Sequence, residues 1–174
     1  MRLHLAAGLV LAGMIATPVV AEWGFSGEPT PMAFAQSGNM TLELQCDRIR
    51  FAPAGYEDSE DIVTKQGLAI RFMKDGETEV GSFQAGGENA MLQIVDNYPV
   101  EILFTDVADY EFVLDQIAAN AVLNLSMIDQ DVSYGFFDLS GSGVAVRSLQ
   151  DTCSDKVVGE NATAPEAPQG VVYC

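Results

Sequence analysis

Apolar residues in this chain recur at every second position in one short run after another, and only two stretches change to steps of three and four. A period of two puts side chains on alternate faces of a half-buried strand, and steps of three and four make the stripe of a helix. Residues 41–46 (TLELQC) place Leu42, Leu44 and Cys46 on one face and Glu43 and Gln45 on the other. Ile49 and Phe51 follow at the opposite parity, and a bulge or tight turn near Asp47-Arg48 returns them to the core side. Residues 53–66 (PAGYEDSEDIVTKQ) hold no period and read as a loop. Residues 68–83 read as a hairpin, with Asp75-Gly76 supplying the positive φ angles of a type I′ turn. Strands over 91–95 and 100–104 follow, separated by the turn cluster Asp-Asn-Tyr-Pro.

Over residues 106–119 the period changes. Val107, Tyr110, Leu114 and Ile117 form a stripe that Val113 and Ala118 widen; Asp106 is placed to cap its start, and a left-handed Asn120 to end it. Strands over 122–127 and 132–139 come next, then a helix near 143–152 capped by Ser140 or Ser142, with Val146, Leu149 and Cys153 on one face. The expected class is α+β, mainly antiparallel β: a sandwich or open barrel with two short helices packed outside it.

The amino end carries an address. Met1-Arg2 precede an uncharged apolar run at residues 5–15, and Val19-Val20-Ala21 place small residues where a leader peptidase cuts. This is the layout of a secretory signal peptide, and it is shorter than the roughly 20 apolar residues that span a bilayer. The expectation is residues 1–21 as leader, 22–154 as one β-rich domain and 155–174 (with NATAPEAPQG) as a flexible tail, with residues 22–30 loosely attached and the protein periplasmic or secreted. Cleavage removes Arg2 and none of the 25 acidic residues, taking the net charge from −17 to −18. Such a charge opposes nucleic-acid and anionic-membrane binding, which need Lys and Arg to displace counterions. The single histidine, His4, leaves with the leader. Imidazole-activated nucleophiles and His-ligated zinc or copper are thereby excluded, and no cofactor is expected.

Export bears on the three cysteines. Cys46 ends an apolar strand face and Cys153 an apolar helix face, so the simplest pairing is a Cys46–Cys153 disulfide. Closing a loop of about 100 residues would contribute on the order of 4 kcal/mol in the chain-entropy model. The alternative is the short local pair Cys153–Cys174, and an unpaired Cys174 would offer an intermolecular bridge.

Other constellations carry weaker chemistry. The run Glu57-Asp58-Ser59-Glu60-Asp61 lacks the glycine and terminal glutamate of an EF-hand and reads as a solvated loop; Asp129-x-Asp131-x-Ser133 has Tyr134 where that loop needs glycine and reads as a hairpin turn. With so many acids, no carboxylate pair stands out as an acid–base couple. Trp23, Phe25 and Phe34 read either as an exposed aromatic strip or as cover for the sandwich's end. Asn39, Asn124 and Asn161 begin glycosylation-like triplets.

The run F-x-L-x-G from Phe137, a small-residue helix with Leu149 and then Cys153, an early Trp23 and a strand ending LELQC together resemble small periplasmic proteins of Gram-negative bacteria. The invasion-associated locus B family is one such group and type VI secretion accessory proteins are another. The resemblance implies an antiparallel sheet with one or two helices, periplasmic residence and no catalytic chemistry, and it transfers no functional residue. Two functions are thus expected: a non-catalytic binding or accessory protein holding an envelope or periplasmic protein partner, or a small carboxylate-dependent hydrolase or enzyme-inhibitor-like protein.

Overall fold

A computed structural model describes residues 21–38, 40–53, 67–95, 98–128 and 133–154. In chain order the elements are β1 (Gly24–Ser26), β2 (Met32–Ser37), β3 (Met40–Gln45), β4 (Arg48–Pro53), β5 (Leu68–Met73), β6 (Glu79–Ala85), β7 (Ala90–Val95), β8 (Tyr98–Phe104), α1 (Val107–Ala119), β9 (Val122–Met127), β10 (Ser133–Asp138) and α2 (Ser142–Cys153). They form two antiparallel sheets, ordered β1-β2-β3-β4-β8-β7 and β10-β9-β5-β6. No barrel closes, and the fold is α+β with antiparallel β predominating.

The two-residue period decides which side of each sheet is dry. Leu42 and Leu44 of β3 pair across to Phe51 and Ile49 of β4, and Ile49 to Ile102 of β8. On the second sheet Ile70 stands between Leu125 and Phe83, and Phe72 and Phe137 both oppose Leu123. These residues belong to one core, nearly all of them without solvent contact. Each such side chain removes about 1.5–3 kcal/mol worth of apolar surface from water.

Both helices add their apolar stripes to that core at the end where β3, β5 and β8 finish. Tyr110, Val113, Leu114 and Ile117 come from α1, and Ala145, Val146 and Leu149 from α2. Tyr110 donates its hydroxyl to the Gln45 carbonyl, and its ring meets Phe104 at 5.0 Å. Burial pushes the Tyr110 phenol far above its ordinary value, so it stays a protonated donor. Ser142 Oγ donates to the Ile117 carbonyl at 2.8 Å, locking the start of α2 to α1. At the other end of α2 a disulfide joins Cys153 to Cys46, just beyond β3, with the Cα atoms 5.3 Å apart and a separation of 107 positions in sequence.

Several local expectations change. Within 22–30, expected to be loosely attached, residues 23–26 are held: β1 pairs with residues 32–34 of β2, and Trp23 meets Phe137 edge-on at 6.0 Å. Neither β1 nor β2 stood out in sequence, because β1 has three residues and the buried positions of β2 are Ala33 and Ala35, whose small side chains give little apolar contrast. Asp106 caps α1 as expected, accepting from the amides of Ala108 and Asp109. Asn120 is extended rather than left-handed and instead donates its side-chain amide to the Gln116 carbonyl. Neither Ser140 nor Ser142 caps α2; left-handed Gly141 occupies that position, since the Ser142 hydroxyl is already committed to α1. The β5–β6 connection is longer than a two-residue turn. Lys74 N–H closes it on the Thr78 carbonyl, and the Asp75 carboxylate gathers the Glu77 and Thr78 amides. The acidic run 57–61, residues 129–132, Asn39, Asn161 and Cys174 lie outside the described residues.

The disulfide gives a direct expectation. Cys46→Ala should lower unfolding stability by about 2–5 kcal/mol, the usual cost of losing a native bridge from a small exported domain. Urea titrations of the two oxidised proteins measure it; identical midpoints would mean that packing alone holds α2.

Candidate functional site

Strand alternation that sends one row of the six-stranded sheet into the core sends the next row outward. That outward row crosses every strand: Gly24, Phe34, Glu43, Arg50, Glu101 and Gln93 lie side by side in register. Glu101 has no solvent exposure although it points away from the core. Arg50 Nε donates to it at 2.5 Å, Gln93 donates to its other oxygen, and the Arg48 guanidinium stands at 3.5 Å. Arg48 also makes a two-point contact with Asp47 at 2.7 and 2.9 Å, and Arg50 reaches Glu43 at 3.7 Å. Burial pushes the Glu101 carboxyl up, but the hydrogen bonds from Arg50 and Gln93 and the charges of Arg48 and Arg50 outweigh it and hold it below its ordinary value. A carboxylate so held is an ionised anchor, the opposite of a general acid, whose pKa must be raised. Glu43 and Glu101 flank Arg50 on adjacent strands, so a guanidinium occupies the space where a substrate would have to sit between two catalytic carboxylates.

The row ends at a groove. The outer end of the Phe34 ring lies over Gly24, so close that a side-chain carbon on Gly24 would fall 2.5 Å from it. Glycine is therefore what lets the aromatic ring cover the edge strand. Beyond this contact the N-terminal segment parts from β2, and a groove of about 680 Å³ opens between them, lined by Glu22, Trp23, Gly24, Phe34, Gln36 and Thr41 among others. Because β1 pairs only with residues 32–34, residues 35–37 of β2 have a strand neighbour on the β3 side alone among the described residues. The site thus combines one apolar wall, one carboxylate, an amide, a hydroxyl and a stretch of sheet edge.

The three aromatics of the amino-terminal region divide between the two roles considered for them. Trp23 packs against the core and Phe137, with its indole N–H buried and without an acceptor. Phe25 and Phe34 are 37% and 39% exposed. Asn124, in its glycosylation-like triplet, is 5% exposed and donates to Ser133 Oγ and the Gly135 carbonyl, so no glycan can reach it in the folded chain. Cys46 and Cys153 are joined to each other and do not line the groove. Among the described residues no cluster of three or more His, Cys, Asp or Glu is placed to hold a metal ion, and no helix is long and apolar enough to cross a membrane. Sequence alternation had put Glu43 outward, but the row itself depends on the β4–β8 register, which joins residues 51 positions apart.

No family model matches the chain, and neither a curated protein nor a solved structure is significantly similar to it.

The ion-pair row makes a pH-dependent prediction. A carboxylate whose folded pKa lies below its unfolded value contributes stability that is complete above about pH 4.5 and is lost as pH falls through the folded value. Glu101→Gln should cost about 2–3 kcal/mol at pH 7, because charge-assisted bonds are lost while both arginines keep a second acidic partner. The gap between variant and parent should shrink on acidification below pH 4. Urea unfolding at pH 7 and pH 3 tests this, and an equal gap at both would contradict it.

Proposed function

We propose that this chain is an exported periplasmic protein that acts without catalysis, as a binding or accessory module for an envelope or periplasmic protein partner. The observation that carries the reading is the groove between the N-terminal segment and β2, where an aromatic wall meets a sheet edge that lacks a strand on one side among the described residues. An extended peptide is the ligand such a place suits. Its backbone can pair with residues 35–37, while alternate side chains meet Phe34 and Trp23. The charged group in the lining is Glu22 and the whole chain carries −17, so the segment should be neutral or basic. Resemblance to the locus B family and to type VI accessory proteins points the same way, since it implies periplasmic residence without catalytic chemistry. The hydrolase reading finds less support: the buried carboxylate is tied between two arginines, and Glu22 is the one acidic residue in the groove's lining.

A photo-crosslinking side chain in place of exposed Gln36 tests the reading in the exported protein. Adducts should form through a defined peptide of one partner and disappear when Phe34→Ser is added. The same probe at Val144, on the exposed face of α2 at 69% exposure, should give none of them. Equal adducts at both positions would contradict the groove as the binding place.

A further inference from the structure

We propose that the α-ammonium left on Glu22 by leader removal docks on the Asp138 carboxylate, and that this ion pair fixes the Glu22–Trp23–Gly24 wall of the groove. The inference rests on the exported reading given above. It starts from Ala21, the residue before the expected cut, which is 5% exposed and belongs to the core. Its amide donates to the Asp138 carboxylate. Two residues on, Trp23 packs against Phe137, the immediate neighbour of Asp138. The segment therefore passes the end of β10, where the Ala21 amide is directed at Asp138.

Asp138 is itself well held. Its Oδ1 accepts from the Ser140 amide at 2.8 Å, and its own amide donates to Ser37 Oγ at 3.3 Å. The hydrogen-bond and strand partners that the described residues give Asp138 are uncharged: Ser37 from β2, Val122 from β9, and Ser140 from the turn into α2. Glu22's side chain lies in the groove and is the other charged group of the segment. The site is thus a positioned carboxylate served by neutral donors.

Hydrolysis of the Ala21–Glu22 amide by a leader peptidase consumes one water. The carboxylate product leaves on the leader, and the amine stays on Glu22, protonated at neutral pH. Consecutive residues stand about 3.8 Å apart, so the new ammonium begins one peptide unit from the amide that already reaches Asp138. It brings a full charge and three donors to a place that had one neutral donor, and such charge-assisted bonds are about twice as strong as neutral ones. The amine's pKa should rise above its ordinary value of about 7.7–8.0. A raised folded pKa means that the latch is fully made below about pH 7.7 and opens as pH climbs through the raised value.

Trp23 is the chain's single tryptophan, so its fluorescence reads this wall alone. The experiment uses the protein purified after export, with intact mass fixing its first residue. A chain beginning at Glu22 should show an α-amine pKa about one unit or more above the ordinary value, measured by the pH dependence of acylation at the amino-terminal peptide. Trp23 emission should shift to the red over the same pH range. In Asp138→Asn the amine should acylate at least about fourfold faster at pH 8, and the emission should be red-shifted at every pH. Asp151→Asn, at an exposed position near the end of α2, should change neither reading. An ordinary amine pKa with pH-independent emission in the Glu22-started protein would overturn the latch and leave the export reading standing. A mature protein beginning elsewhere would overturn the latch alone, and a chain that keeps residues 1–21 would overturn both.

Discussion

The structure depends on one constraint: the end of an early strand and the end of the last helix must meet over a shared core. Cys46 follows Leu42 and Leu44 on the dry face of β3, and Cys153 follows Val146 and Leu149 on the dry stripe of α2. Joining them closes the chain over 107 positions, so both sheets and both helices lie within the loop or pack against it. The Tyr110 hydroxyl on the Gln45 carbonyl tightens the same corner, and the Ser142 hydroxyl on the Ile117 carbonyl fixes the other end of α2 to α1. With that end closed by α1 and α2, the outer face of the six-stranded sheet and its β1–β2 margin are left for other work.

On that outer face the chemistry is conservative. Glu101 is desolvated, yet the arginines on β4 and the Gln93 amide satisfy it, so the row holds the register of β3, β4, β7 and β8 rather than presenting a reactive group. Phe34, next to its Gly24 end, belongs to both the row and the groove. A change in the packing of β3 against β2 would therefore be felt at the groove wall, which ties the fold's electrostatics to the place proposed for binding.

Elements with strong local signals were legible before the structure: the α1 stripe with its Asp106 cap, the alternation of β3 and β5, and the tight turn that restores Ile49 and Phe51 to the core. What stayed hidden depends on partners distant in sequence. Ala33 and Ala35 are core residues only because β3 lies beside them, and Glu101 reads as a lone charge in an apolar strand until Arg50 is set opposite it. The caps of α2 were misplaced for the same reason, since Ser142 is taken up by a carbonyl of the other helix. The groove joins residues 22–24 to Phe34, Gln36 and Thr41, and its aromatics alone left both a core and a surface reading open.

The central claim is that β2 offers an edge beyond Phe34, and amide hydrogen exchange on the purified protein tests it most directly. The account predicts slow exchange for the amides of Leu42, Leu44 and Ile102, which lie within paired strands, and fast exchange for at least one amide among residues 35–37. Protection across residues 35–37 equal to that of β3 would contradict it, because another segment would then already fill the edge.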